Sequence, residues 1–178
     1  MKLGFAMIAG LIAAAPLAAQ AQSEPVPINN PNPATFQVYG LPSPPKSVKD
    51  DTVQGGRALP VAVNGVGTPY AVGVNVPITQ AVKAGDKLNL MFFARLQKAE
   101  PGVTTTKIAG QIQLSGAPYT AIAGKQVDLT SEWKLFTLEA IADKDYAKGQ
   151  LTAAFHINTG KQTVALGLVA VFDYGKQP

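Results

Sequence analysis

The sequence predicts an all-β domain, either a sandwich or a barrel, from two observations. After residue 57 the chain consists of short runs rich in β-branched and aromatic residues, separated by turn residues such as Gly85-Asp86 and Gly160-Lys161. A period of 3.6 residues is sustained nowhere, which argues against helices alternating with strands. Short strands with regular turns are typical of antiparallel sheets.

The first 21 residues have the pattern of a secretory signal peptide. Lys2 provides the positive charge, residues 3–17 are apolar, and Ala19-Gln20-Ala21 is a small-x-small cleavage site. The apolar run is shorter than the roughly 20 residues of a transmembrane helix, and nothing later in the chain is long and apolar enough to span. We therefore expect cleavage after Ala21 and export to the periplasm or beyond, without a membrane span.

Residues 22–50 are predicted to form a proline-rich leader that precedes a single β-sandwich domain at residues 51–178. Proline cannot donate a hydrogen bond to a ladder, so we expect only one short edge strand in the leader, at residues 35–39. The leader prolines stand at positions 25, 27, 31, 33, 42, 44 and 45.

Within the domain the predicted strands cover residues 58–63, 70–76, 81–82, 87–96, 107–114, 120–122, 134–140, 151–158 and 163–172. Alternation assigns one apolar side to each of three long strands, because successive side chains point to opposite faces. The residues expected in the core are Leu88, Leu90, Phe92, Ala94, Ile108, Ile112, Leu114, Leu151, Ala153, Phe155 and Ile157. Turns are expected between the strands, among them one at Gly124-Lys125.

The other sides of these three strands carry amide, guanidinium and imidazole groups. If the strands share one sheet, those groups form a single surface made of Asn89, Phe93, Arg95, Gln111, Gln113, His156 and Asn158. Sugars need paired hydrogen-bond donors and acceptors together with aromatic rings for their C–H faces, and such a surface offers both. The solvated face of any antiparallel sheet alternates polar residues in the same way, so a plain surface stays open as the alternative.

The composition excludes most catalytic chemistry. There is no cysteine and a single histidine, His156, so the usual zinc sites are excluded, and no serine lies in a Gly-x-Ser-x-Gly elbow. The acids lie mostly in turns, where carboxylates are far more often caps than catalysts. The formal charge of +4 is spread along the chain without a basic cluster, which argues against nucleic-acid binding.

From Thr52 onward the chain resembles carbohydrate-binding modules of the family four and nine type, as small exported bacterial proteins. The resemblance lies in Phe92-Phe93-Ala94-Arg95, in Leu129-Thr130-Ser131-Glu132-Trp133-Lys134 and in Val171-Phe172-Asp173-Tyr174-Gly175. It implies a galactose-binding-like fold, a two-sheet antiparallel jelly-roll sandwich, with a concave face that holds a glycan. It also implies, in many members, a structural calcium ion, for which Asp173 is the candidate ligand here. The chain departs from the pattern at Pro60, Tyr70, Ala165 and Leu168.

The leading hypothesis is therefore a non-catalytic module that binds a poly- or oligosaccharide. The residues expected to contact the glycan are Tyr70, Phe93, Arg95, Gln111, Gln113, His156 and Gln162. The alternative is a structural or interaction module that docks to a protein partner, such as a component of a glycan-degrading system. A hydrolase is a third hypothesis, and we expect its turnover to be absent.

Overall fold

The computed structural model of the protein describes residues 24–176, and its regular structure there is almost entirely β. The strands are β1 (Val26–Pro27), β2 (Gln37–Tyr39), β3 (Val48–Lys49), β4 (Arg57–Asn64), β5 (Gly73–Pro77), β6 (Asp86–Ala99), β7 (Thr106–Leu114), β8 (Ala121–Leu129), β9 (Lys134–Ile141), β10 (Leu151–His156) and β11 (Lys161–Lys176). Two short 3₁₀ turns, Pro33–Thr35 and Pro69–Ala71, are the only helical segments of this range. No helix in the described part of the chain is long and apolar enough to cross a membrane.

The strands form two antiparallel sheets. Sheet 1 has the order β3-β4-β11-β6-β9, with β1 paired to the later part of β11, and sheet 2 has the order β2-β5-β10-β7-β8. The predicted all-β, two-sheet antiparallel sandwich is thus confirmed.

The core lies between the two sheets and is formed by alternate residues of each strand. The inward residues of β6, from Leu88 to Ala94, are at most 2% exposed, as are Phe155 in β10 and Ile157 just after it. The Phe92 ring lies 4.8 Å from the ring of Phe155 across the sandwich and 5.3 Å from that of Phe136. These contacts fix which face of each sheet is turned outward.

The expected proline-rich leader is part of the sandwich, which corrects the boundary placed at residue 51. Its described residues supply strands to both sheets, and Ile28 is buried in the core. Asn29 binds the stretch of β11 between its pairing with β4, which ends at Leu166, and its pairing with β1, which begins at Phe172. Its amide nitrogen donates to Val169 O at 2.8 Å and its oxygen accepts from Val171 N at 2.7 Å. Composition suggested a leader outside the domain because it does not show side-chain hydrogen bonds, such as those of Asn29, that fix a proline-rich segment to the sheet.

Several element boundaries differ from the sequence expectation. The predicted strand at 70–76 begins only at Gly73, because Pro69–Ala71 forms a 3₁₀ turn, and of residues 81–82 only Val82 makes a bridge, to Tyr146. The turn expected at Gly124-Lys125 lies inside β8, where Gly124 pairs with Gln111 of β7. The predicted signal peptide at 1–21 lies outside the described residues.

Candidate functional site

The outward face of sheet 2 contains a cleft of about 670 Å³. It is lined by Tyr39, Tyr70, Asn75, Gln111, Gln113, Ser115, Pro118, Tyr119 and His156. These residues come from β2, β5, β7 and β10 and from the loops at both ends of the sheet, so the cleft exists only in the assembled fold.

The floor of the cleft carries three carboxamides. Asn75 and Gln111 lie on either side of Ala154, with which both are in register, and Gln113 follows two residues further along β7. The Gln111 amide nitrogen donates to the Gln113 oxygen. The side-chain oxygen of Asn75 is buried and has no hydrogen-bond partner among the described residues. A buried polar atom without a partner costs about 1–3 kcal/mol, so this oxygen is suited to accept a hydrogen bond from a ligand.

Two exposed tyrosines form opposite walls of the cleft. Tyr70 is 60% exposed and Tyr119 is 56% exposed, although both rings are large and apolar. Tyr119 also has a φ of +56°, a conformation that bulky side chains rarely adopt and that costs of order 1–3 kcal/mol. The fold thus holds two aromatic rings in water, one of them on strained backbone, beside a floor of amides.

The Tyr39 ring lies on the sheet because its cross-strand partner is a glycine. A Cβ atom at Gly73 would stand 2.4 Å from the Tyr39 hydroxyl oxygen and 2.5 Å from Phe155 O, so no larger residue fits. Burial raises the pKa of Tyr39, and the phenol therefore stays neutral and can donate a hydrogen bond near pH 7.

The loop that carries Tyr70 is held by a single buried side chain, Asn158. Its side-chain oxygen accepts from Gly65 N at 3.0 Å, and its amide nitrogen donates to Val66 O at 2.7 Å and to Thr68 O at 3.2 Å. The backbone N–H of Asn158 donates to Pro69 O, next to the tyrosine. Asn158 was expected on the polar face, but it is 2% exposed and positions the wall of the cleft.

His156 lies at the base of the Tyr70 wall. The two ring centroids are 6.0 Å apart in an edge-to-face arrangement. Burial lowers the pKa of His156 below its ordinary value of 6.5, so the imidazole is neutral at pH 7. A neutral imidazole has one donor and one acceptor nitrogen, which complements a hydroxyl group.

The structure divides the single surface that the sequence suggested. Tyr70, Gln111, Gln113 and His156 meet in the cleft of sheet 2. Phe93 and Arg95, together with Asn89, lie on sheet 1, because β6 pairs with β11 and β9 rather than with β7 or β10. The prediction of one common face was therefore wrong for these three residues.

Arg95 has a packing role on the outer side of sheet 1. Its guanidinium binds the Asp50 carboxylate at 3.1 Å and lies 4.7 Å from the centroid of the Trp133 ring. The Trp133 indole N–H donates to the Thr52 hydroxyl at 3.2 Å. These contacts hold the loop before β4 against the sheet.

Gln162 also lies away from the cleft. It stands on β11 in sheet 1 and is 6% exposed. Its amide nitrogen donates to Ile157 O at 3.2 Å and to the Thr159 hydroxyl at 2.9 Å. Its side chain is thus engaged within the fold.

Asp173, the candidate calcium ligand, lies on β11 near Asp86. Burial raises the pKa of Asp173, and the neighbouring Asp86 carboxylate adds to this rise. Calcium takes six or more oxygens, whereas residues 24–176 gather no group of three His, Cys, Asp or Glu side chains. Two carboxylates alone do not make such a site, and the calcium ion stays a prediction from the resemblance.

Five cleft residues were not anticipated, namely Tyr39, Asn75, Ser115, Pro118 and Tyr119. Tyr39 lies in a strand that the sequence predicted as a short edge, and the last three lie in the loop between β7 and β8, which contains Gly116-Ala117-Pro118. The glycine and proline of this loop indicate a turn in the sequence. The face of the sheet toward which the loop bends could not be predicted from them.

Comparison with known proteins gives structural similarity only. No protein-family model and no curated protein sequence matches the chain. The fold is similar to a structure described as "CBM4 structure and function", with a TM-score of 0.58 and 23% identity, over 79% of this chain and 96% of that one. It is also similar to the N-terminal cellulose-binding domain of Cellulomonas fimi β-1,4-glucanase C, with a TM-score of 0.55 and 24% identity, over 76% and 86% of the two chains.

The same fold occurs in proteins of another kind. The apo form of a cyclase from Fischerella sp. has a TM-score of 0.60 and 14% identity, over 91% of this chain and 93% of that one. The resemblance to family four modules is thus confirmed for the fold, and the likeness to family nine stays a prediction. Identities this low show a shared architecture, and function has to be argued from the cleft.

The lowered pKa of His156 gives a first prediction. The unfolded chain takes up this proton near pH 6.5 and the folded chain only at lower pH, so acidification from pH 7 through this window destabilises the fold. His156 is the only histidine, and NMR titration of its ring protons reports the pKa directly. We expect a value below 6.5 that rises toward 6.5 in Tyr70→Ala, and a value at or above 6.5 in the unmodified protein would contradict the described burial.

Proposed function

We propose that the protein is an exported, non-catalytic module that binds a poly- or oligosaccharide, with neutral sugar residues in the cleft of sheet 2. One observation carries the proposal: a floor of uncharged carboxamides lies between two exposed tyrosine walls. The fold similarity supports it, because two of the similar structures are described as CBM4 and as a cellulose-binding domain.

The tyrosine walls suit the apolar faces of sugar rings. Exposed aromatic surface loses its unfavourable contact with water when a C–H face covers it, and such burial is the main favourable term of binding. Because the Asn158 hydrogen bonds hold the backbone of the loop that carries Tyr70, little backbone entropy is lost when the ligand binds.

The floor suits the hydroxyl groups. Carboxamides both donate and accept, and the side-chain oxygen of Asn75, which has no partner among the described residues, can accept from a sugar hydroxyl. No lysine, arginine, aspartate or glutamate is among the lining residues, all of which belong to the described range. A site without ionised groups favours a neutral ligand, because it offers no counter-charge for the desolvation of an ion.

The absence of carboxylates among the lining residues also supports a binding role. Glycoside hydrolysis uses two carboxyl groups that flank the scissile bond, and this cleft supplies none. The titratable groups that line it are three tyrosines and His156, whose imidazole has no acid beside it among those lining residues. We therefore propose no covalent step.

Removal of the Tyr70 ring tests the proposed function. Retention of the protein in affinity gels that contain soluble β-glucan or xylan is expected to fall about tenfold in Tyr70→Ala, which corresponds to roughly 1.4 kcal/mol of lost binding. Tyr70→Phe keeps the stacking surface and is expected to retain most of the affinity.

Leu135→Ala is the control for this experiment, because Leu135 is 41% exposed on sheet 1 and lies outside the cleft. It should leave retention unchanged. Equal retention of Tyr70→Ala and the unmodified protein would contradict the placement of the ligand in the cleft.

Asn158 provides a test of wall positioning by a double-mutant cycle. Asn158→Ala frees the Tyr70 loop and is expected to weaken retention, but to add little in a Tyr70→Ala background because both changes remove the same wall. Asn29→Ala is the matched control, since it also deletes a buried amide but one whose partners, Val169 and Val171, lie on sheet 1 away from that loop. Fully additive losses would show that Asn158 supports stability alone.

A second candidate function, docking to a protein partner, is favoured by a groove on the opposite side of the molecule. The outer face of sheet 1 has a cavity of about 260 Å³ with mainly apolar residues around it. They include Pro27, Met91, Phe93, Leu135, Leu168, Ala170 and Phe172. A sheet face turned to solvent is usually polar, so an apolar groove there is typical of an interaction surface.

The docking hypothesis is tested by a pull-down from a periplasmic extract with the unmodified protein, Leu135→Arg and Tyr70→Ala. It predicts a captured protein that is lost with Leu135→Arg and kept with Tyr70→Ala. Capture that is insensitive to Leu135→Arg, or no capture at all, would contradict a role for this groove.

A further inference from the structure

A second cavity adjoins the cleft at the loop between β7 and β8. It has a volume of about 440 Å³ and is lined by residues that include Pro118, Thr120, Ile122, Ile141, Asp143 and Lys144. We call this cavity the cup. It lies where the β7–β8 hairpin of sheet 2 meets the end of β9 in sheet 1.

Only one loop separates the cup from the cleft. Pro118 lines both cavities, Ser115 and Tyr119 line the cleft, and Thr120 lines the cup. The adjacent residues Tyr119 and Thr120 thus line different cavities. A ligand that extends from the cleft over Pro118 enters the cup. The loop is held by hydrogen bonds from Leu114 N to Thr120 O and from Tyr119 N to Gly116 O.

The two cavities differ in the charged side chains that line them. No lysine, arginine, aspartate or glutamate lines the cleft, whereas Asp143 and Lys144 line the cup. Asp143 accepts a hydrogen bond from the Tyr146 hydroxyl, and this bond lowers the pKa of Asp143. Burial, together with the same bond, raises the pKa of Tyr146 to about 12. One oxygen of the only carboxylate among the cup-lining residues is therefore already used within the fold.

Lys144 is the only lysine or arginine among the cup-lining residues, and its charge also helps to lower the pKa of Asp143. Its ammonium lies 5.6 Å from the centroid of the Tyr146 ring, and it belongs to none of the ion pairs found in residues 24–176. The lysine side chain is long and flexible, so its ammonium can turn from the ring toward a bound anion without a change in the backbone. Ile141, which is 57% exposed, adds an apolar wall to the same cup.

We propose that the cup is a subsite for an acidic residue of the bound glycan, a uronic acid whose carboxylate pairs with Lys144. The neutral part of the glycan lies in the cleft and crosses Pro118. This inference rests on the proposed function and adds to it a preference for acidic over neutral polysaccharides.

Affinity gels that contain either a neutral polysaccharide (β-glucan or arabinoxylan) or an acidic one (glucuronoxylan or polygalacturonate) test the proposal. We expect stronger retention by an acidic gel than by the neutral gels, by up to about fivefold, as for one exposed ion pair. Lys144→Gln should remove this difference and leave retention by neutral gels unchanged. Added salt should reduce the difference in the unmodified protein, because it screens exposed charges.

Lys98→Gln is the matched control, since it makes the same charge change on an exposed residue away from the cup. Lys98 lies near the end of β6, whereas the segment that carries Lys144 lies beside the start of that strand. Asp143→Asn is a second variant and should strengthen retention by the acidic gels, because it removes a like charge from the cup. Equal retention by both kinds of gel, or a preference that persists in Lys144→Gln, would overturn the cup proposal alone. A failure of every gel to retain the protein would instead overturn the proposed function.

Discussion

The cleft depends on one constraint, which is that sheet 2 buries one complete face against sheet 1. The ring of Phe155 packs edge to face on Phe92 of the facing sheet, and Ile108, Ile112 and Ile157 are at most 1% exposed beside it. Because side chains alternate along a strand, burial of this face turns the intervening residues Asn75, Gln111 and His156 outward. A one-residue slip of β7 or β10 would bury the amides and expose the core, so core packing and cleft composition are fixed together.

The sequence predicted which residues of a strand face the core, whereas it did not predict which strands pair with one another. Alternation is a local property of the pleat, and it assigned Leu88, Leu90, Phe92 and Ala94 to the core correctly. Sheet membership depends on long-range pairing, which is why Arg95 was grouped with Gln111 although β6 and β7 belong to different sheets. Likewise, a glycine occurs both in turns and inside strands, and Gly124 lies in mid-strand, where it pairs with Gln111.

The residues that shape the cleft show a division between positioning and contact. Gly73 provides room for the Tyr39 ring, and Asn158 fixes the loop below Tyr70, yet neither is among the cleft-lining residues. Such positioning residues cannot be recognised from the pattern of polar and apolar residues in the sequence, because their role depends on the neighbours that the fold brings to them. A preformed wall and floor lower the entropy cost of binding, which matters for a ligand as flexible as a glycan.

The outer faces of the two sheets have opposite characters, and the cause lies in the loops that cover them. The Asp50 loop is fixed to sheet 1 by Arg95 and Trp133, and the segment around Asn29 covers the other end of that face, leaving only an apolar groove between them. Sheet 2 is instead flanked by the Tyr70 and Tyr119 loops, which rise around an open polar floor. Two packed sheets lie about 10 Å apart, so a glycan and a protein partner could occupy opposite faces at once. Because a close-packed core separates the sites, a change in the groove alters glycan affinity only through stability, and binding measured well below the melting temperature distinguishes the two faces.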